Sequence, residues 1–266
     1  MASAGETGGS FRRQKLLKEA KKNWDLFYKR NTTNFFKDRH WVDREFEELR
    51  SGSGEPLTVL ELGCGVGNFA FPLLERNVGA FVYACDFSEK AIDLVKSNSL
   101  YSPSRISAFT VDLSQPHTSL SPPLPPASVD FASMLFVLSA LPPDTMHHCI
   151  LKLKSVLKCG AVVGFRDYGR GDGAEVRFGA GNKLSLEDGA TFYARQDGTF
   201  SYFFTVEDLR TLFVRGAKLD GSAVEGCEED GGFEEISCEY VRRETTNAKE
   251  AKVMERVFVQ AKFRRK

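Results

Sequence analysis

The sequence predicts an α/β fold: a mostly parallel, seven-stranded sheet covered by helices, with a helical extension at its N-terminal side. Three observations predict it. From residue 57 onward, five short apolar runs alternate with helix-like segments, the pattern of parallel strands joined by crossover helices. Those runs are nearly continuous in apolar residues, as strands buried on both faces are. Near the end, EEISCEYVRRE and KVMERVFVQAKF are apolar-alternating segments that can pair antiparallel.

Residues 1–10 are rich in Gly, Ser and Ala and are expected to be disordered. Over 11–30, Leu16, Leu17, Ala20, Trp24, Phe27 and Tyr28 recur at three- and four-residue spacing, which predicts a helix. A second helix is expected over 41–50, closing an N-terminal extension of 11–50. SGSGEP (51–56) reads as a linker. The main domain, 57–266, opens with a strand at 57–62 and a helix from Gly67 to Arg76. A strand at 80–86 follows, then a helix at 88–98 with Ser88 as its N-cap and Glu89 in the first turn. ISAFTVD (106–112) predicts the third strand, the start of 129–141 the fourth, 144–157 a helix and 161–167 the fifth strand. Residues 168–204, rich in Gly, Asp and aromatics, read as an inserted, hairpin-bearing segment. A helix is expected over 205–214, and 216–232 is acidic, small and expected to be a mobile loop.

Composition bounds the function. In 266 residues, 42% hydrophobic and 27% charged is ordinary for a globular chain. No stretch has the roughly 18–20 apolar residues of a membrane span, and the first residues lack the apolar core of a signal peptide. The six cysteines, at 64, 85, 149, 159, 227 and 238, form no C-x-x-C pair, so neither a disulfide framework nor a zinc site is expected. Such a chain suits the reducing cytosol or nucleus. His147-His148-Cys149 offers no metal site either, because adjacent helical residues point different ways. Net charge is zero but unevenly spread: +4 over 1–50, −10 over 51–239 and +6 over 240–266. Basic ends can close on a polyanion, and they can equally be solvated surface.

The densest chemistry lies in Glu61-Leu62-Gly63-Cys64-Gly65-Val66-Gly67-Asn68, between a predicted strand and a predicted helix. Glycines there permit a tight turn and close backbone approach to a ligand. Asp86, with Phe87 beside it, ends the second strand, where a carboxylate can accept both ribose hydroxyls. Asp112 follows the third strand, placed to accept from an adenine amine, with the Leu113 backbone beside it. Leu135-Phe136, at the end of the fourth strand, would wall the adenine. All sit at carboxyl ends of parallel strands, where open α/β sheets bind ligands. The GxGxG spacing, and the lack of an opposing acid for hydride transfer, favour S-adenosylmethionine over a nicotinamide; its sulfonium suits aromatic faces.

Five parallel strands followed by a hairpin is the pattern of the class I, Rossmann-like, S-adenosylmethionine-dependent methyltransferases. More specifically, KNWDLFYKR (22–30) and NFFKDRHW (34–41) resemble the methyltransferase-like enzymes that make 3-methylcytidine in transfer RNA. ELGCGVGN, YACDFS, FVLSA, FRDYG, FYARQDGTFSYFF and YVRRET follow in that family's order, so the resemblance spans 15 to about 263. It implies that Trp24 and Tyr28 close over the cofactor, with Gly63, Gly65, Asp86, Phe87, Asp112, Leu113 and Leu135 lining it. It implies that Phe35, Arg39, Asp167 and Tyr168 face the target base. The branch resembled is the cytosolic one that modifies cytidine 32 in the anticodon loop of serine tRNAs, with seryl-tRNA synthetase as helper and S-adenosylhomocysteine as by-product. The 216–232 stretch and Lys158-Cys159-Gly160 depart from that family's pattern. Neither a metal nor a membrane is expected as a partner.

The chemistry implied is attack by cytidine N3 on the methyl group. N3 carries an in-plane lone pair and needs no deprotonation, but it lies on the Watson–Crick edge, so the base must be extruded and stacked on an aromatic ring. Phe35 is the expected platform and Asp167 the expected partner of the exocyclic amine. Two other readings remain at this point: a methyltransferase acting on a small molecule or protein, and a catalytically silent RNA-binding partner of the same fold.

Overall fold

The computed structural model describes residues 4–50, 56–178, 180–184, 191–224, 230–247 and 252–266. Five parallel strands form one half of the main sheet: β1 (Leu57–Leu62), β2 (Ala80–Asp86), β3 (Ile106–Thr110), β4 (Val129–Leu135) and β5 (Leu157–Tyr168). Two antiparallel strands, β8 (Phe233–Asn247) and β9 (Lys252–Arg265), complete it in the order β3-β2-β1-β4-β5-β9-β8. β9 threads between β5 and β8, pairing Val162 with Arg264 and Tyr168 with Phe258. The order reverses at β1, so the carboxyl ends of β1 and β4 open the crevice where such sheets bind ligands.

The two-residue period of the strands divides the core between the faces. Leu60, Leu62, Met134, Val163, Phe165 and Phe263 belong to one buried cluster. Val59, Val82, Phe131, Leu135 and Val162 belong to the other, with Phe46 and Phe69. Burying one such Phe fully contributes about 1.5–3 kcal/mol. Phe213 stacks on Phe263 with centroids 4.3 Å apart.

Helices cover both faces: α1 (Ala4–Asn31), α2 (Val42–Glu45), α3 (Ala70–Arg76), α4 (Glu89–Lys96), α5 (Met146–Val156), α6 (Gly173–Arg177) and α7 (Val206–Leu209). Ser88 caps α4 by accepting from the Ala91 N–H at 3.1 Å. The segment 168–204 carries α6 and a small hairpin, β6 (Phe192–Ala194) with β7 (Phe200–Tyr202).

Several expectations shift. Residues 4–10, expected to be disordered, continue α1, since an established helix gains one hydrogen bond per residue added; residues 1–3 lie outside the described residues. The helix expected over 41–50 breaks at Phe46, which turns extended (φ −124°, ψ 92°) to bury its ring, and a 3-10 turn follows at Glu47–Leu49. α3 starts at Ala70 rather than Gly67, because Gly67 is left-handed at φ +88°. The helix over 205–214 is capped by Thr205 and passes into a π turn at Arg210–Val214. Of the linker at 51–56 and the acidic loop at 216–232, residues 51–55 and 225–229 lie outside the described residues.

Candidate active site

A cavity of about 280 Å³ opens at the carboxyl ends of β1, β2 and β4, under α1. Trp24, Tyr28, Gly63, Asp86, Phe87, Asp112 and Leu113 all line it, so seven of the nine residues expected to hold the cofactor converge there. Gly65 and Leu135 are not on the wall. Gly65 acts from behind: its N–H donates to Asp86 Oδ2 at 2.9 Å, and its left-handed backbone (φ +53°) lets Tyr28 approach so closely that a Cβ would sit 2.9 Å from the Tyr28 hydroxyl. Leu135 points into the opposite core cluster. Of the expected pair it is Phe136 that lines the cavity, with Val137 beside it. Phe136 is left-handed (φ +62°), which breaks the strand's alternation and turns its neighbour inward.

Asp86 is 8% exposed and accepts the Gly65 and Ser88 N–H groups, each at 2.9 Å. Burial pushes it up to about 6. A carboxylate has about four acceptor positions, so two remain for a pair of vicinal hydroxyls. Asp112 Oδ1 accepts from the Ser114 N–H (2.9 Å) and hydroxyl (2.6 Å), which fixes the turn under the far end of the cavity. Aromatic rings, acids at the ends of two neighbouring strands and glycine backbone together fit an adenosine bearing a cationic tail.

The position of α1 over the cavity has an identifiable cause. Asp25 accepts from the Ser88 hydroxyl at 2.6 Å and ties the helix to the start of α4. Asn23 donates to the Gly198 carbonyl at 3.2 Å and ties it to the turn of the β6–β7 hairpin. Gly198 is left-handed at φ +79°, and a Cβ there would lie 2.5 Å from Asn23 Nδ2. Sequence reasoning missed Asn23 and Asp25. The signal for both was present, since they flank Trp24 in KNWDLFYKR and Gly198 lies in RQDGT. Leu17, Leu141 and Phe200 add apolar wall.

Beside the cavity lies a second face. Arg39 holds its guanidinium 4.9 Å over the Phe136 ring, and Tyr168 lies 5.2 Å from that ring. Phe136 therefore borders both compartments. Asp167 is wholly buried; Oδ2 accepts from the Ser139 N–H at 3.0 Å and Oδ1 from the Tyr168 N–H at 2.8 Å. Burial pushes it up to about 6. Both of its oxygens thus accept from backbone N–H groups. Phe35 is 56% exposed and packs edge-on against Phe27 and Phe36, each 4.8 Å away, and it does not line the cavity. Glu61 is buried beneath the loop and pushed up to about 8 by burial, an effect that the charge of Arg39 opposes.

His147 and His148 do not diverge as helix geometry suggests; their rings meet with centroids 3.9 Å apart. Among the described residues, no three His, Cys, Asp or Glu side chains gather as metal ligands would.

Comparison with known proteins adds independent findings. A methyltransferase-domain family matches residues 60–163. The chain is 53% identical over 259 residues to tRNA N(3)-cytidine methyltransferase METTL6 of Rattus norvegicus, covering 96% of this chain and 83% of that one. It is 41% identical over 253 residues to tRNA N(3)-methylcytidine methyltransferase trm141 of Schizosaccharomyces pombe, covering 95% of each. Among solved structures, an S-adenosylmethionine-dependent methyltransferase from Anabaena variabilis superposes with a TM-score of 0.60 at 13% identity, over 92% of this chain and 94% of that one. That likeness is one of fold.

Proposed function

The chain belongs to the tRNA N(3)-cytidine methyltransferase family, and from that premise we propose that it methylates N3 of cytidine 32 in the anticodon loop of serine tRNAs, using S-adenosylmethionine and releasing S-adenosylhomocysteine. The observation that carries the reading is a convergence. Trp24, Tyr28, Gly63, Asp86 and Asp112 meet in one cavity, and the Arg39–Phe136–Tyr168 face adjoins it across a single ring.

When bound, the cofactor supplies an electrophilic methyl group on a sulfonium. The chain does the rest by position. Asp86 accepts the ribose hydroxyls, Asp112 and the Leu113 backbone take the adenine, and Trp24 and Tyr28 offer aromatic faces to the cationic tail. The target base must leave its stack, and aromatic side chains at the rim, Phe35 among them, replace the lost stacking. Residues that held N3 in line with the methyl donor would accelerate transfer by positioning. Methylation makes the base cationic. Asp167 lowers that cost through its charge and keeps Tyr168 and Ser139 in place, as a positioning residue.

The sequence motifs of the serine-tRNA branch support seryl-tRNA synthetase as helper, since a neutral chain of this size grips RNA weakly by charge alone. Singly placed cysteines suit the cytosol or nucleus. The test is methyl transfer to serine tRNA transcripts carrying cytidine or uridine at position 32, with and without seryl-tRNA synthetase. Transfer to the cytidine transcript alone supports the reading. Equal transfer to both, or transfer only to protein or small molecules, overturns it.

A further inference from the structure

Arg166 sits at the carboxyl end of β5, only 7% exposed. Its guanidinium lies 4.5 Å from the Trp41 ring and 5.2 Å from the Phe258 ring. Among the described residues, no side chain or carbonyl hydrogen-bonds to it, and no carboxylate lies within ion-pair distance. Glu45 is the one carboxylate that influences it, and a Glu45 oxygen is already taken by Gln260 Nε2 at 2.8 Å. Arg39 and Arg243 crowd it with like charge. Arg195 adds a fourth guanidinium nearby, 5.5 Å from the Tyr168 ring. Arg256 lies in the same cluster but is neutralised by Asp172 at 2.8 Å.

A buried guanidinium without a counter-charge is disfavoured by lost hydration. The two aromatic rings offset part of that cost, and the neighbouring arginines add repulsion. An anion resolves the imbalance. With two rings packed against it, the guanidinium still has its planar edge to offer, whose paired N–H groups match two oxygens of a phosphodiester. The cluster does not line the cofactor cavity, so the cofactor's carboxylate is not that anion. It adjoins Tyr168 and Phe136, where an RNA strand must pass if its base enters beside them; the Phe136 N–H even donates to the Arg166 carbonyl at 2.8 Å.

We propose that Arg166, with Arg39, Arg195 and Arg243 around it, is a phosphodiester site that holds the RNA backbone next to the target cytidine. This rests on the reading of the protein as an RNA methyltransferase. The test uses the full chain, an anticodon stem-loop RNA, and the same RNA with single methylphosphonate linkages flanking the target nucleotide. Arg166→Gln is expected to weaken RNA binding at least about tenfold and to flatten its salt slope by about 0.7. Affinity for S-adenosylhomocysteine stays unchanged. One methylphosphonate linkage should weaken binding to the normal chain by a similar factor and have little further effect on Arg166→Gln. Arg243→Gln, on an exposed strand position, serves if Arg166→Gln fails to fold, with the same signature in milder form. Unchanged affinity and salt slope in the folded variants overturns the site. So do additive losses, or displacement by an acidic peptide with no methylphosphonate effect. If the unsubstituted chain binds S-adenosylhomocysteine but no RNA, the functional reading itself fails.

Discussion

Replacing Asp86 by Ala probes the cofactor pocket at its most informative atom. The carboxylate uses two acceptor positions on the Gly65 and Ser88 N–H groups, each at 2.9 Å, and has two left for ribose hydroxyls. Hydrogen bonds to a charged partner are worth about 1.5–3 kcal/mol each. Losing two costs about 3–6 kcal/mol of binding, or roughly 10²- to 10⁴-fold in affinity. Folding is hit less hard, because two effects oppose. Leaving two buried N–H groups unpaired costs about 1–3 kcal/mol each. Removing a carboxylate that burial holds at about 6 rather than 3.8 returns about 3 kcal/mol at neutral pH. Affinity is therefore the cleaner readout. The assay is calorimetric titration with S-adenosylhomocysteine, on protein whose thermal unfolding shows it is native. A native Asp86→Ala chain that binds within tenfold of the parent refutes the assignment.

Other outcomes follow from the same geometry. Trp24→Ala should weaken S-adenosylmethionine more than S-adenosylhomocysteine, by about 0.5–2 kcal/mol, because only the former carries the sulfonium cation; parallel titrations read the difference, and equal losses would place Trp24 away from the sulfur. Asp167→Ala should retain S-adenosylhomocysteine binding yet lose methyl transfer by about a hundredfold or more, and wild-type turnover would remove Asp167 from the mechanism. The ionised form of Asp86 is the one that accepts ribose hydroxyls strongly, and burial brings its protonation up to about 6. Affinity for S-adenosylhomocysteine should therefore be flat above pH 7 and fall as pH drops through about 6; a profile flat down to pH 5 contradicts that. Gly65→Ala places a Cβ at φ +53° and 2.9 Å from the Tyr28 hydroxyl. It should cost about 1–2 kcal/mol in backbone strain alone, with a lower melting temperature and weaker cofactor binding.

What the sequence disclosed, and what it hid, has a physical pattern. Gly63, Gly65, Asp86 and Asp112 were legible because a tight turn and a strand end impose their residue types locally. Five of the seven strands followed the same way, from apolar runs bounded by turns. Of the pair Leu135-Phe136 expected to wall the adenine, only Phe136 lines the cavity, and Leu135 turns into the opposite core. Strand periodicity assumes extended backbone, and nothing in the sequence says that a phenylalanine turns left-handed at φ +62°. The break at Phe46 and the late start of α3 have the same origin: a core ring and a left-handed glycine override local helix propensity. The clasp between Asn23 and Gly198 joins positions 175 residues apart, so only the fold reveals it. That Arg166 has no hydrogen-bonded or ion-paired partner among the described residues is likewise invisible in FRDYG, because it is a tertiary fact.

The most direct measurement is the identity of the modified nucleoside. Serine tRNA is incubated with the protein, seryl-tRNA synthetase and S-adenosylmethionine bearing a trideuterated methyl group, digested to nucleosides, and resolved by mass and retention against authentic standards. The account predicts deuterated 3-methylcytidine, from a single anticodon-loop residue. A deuterated methyl on any other nucleoside, or none on RNA while the protein binds its cofactor, would contradict it.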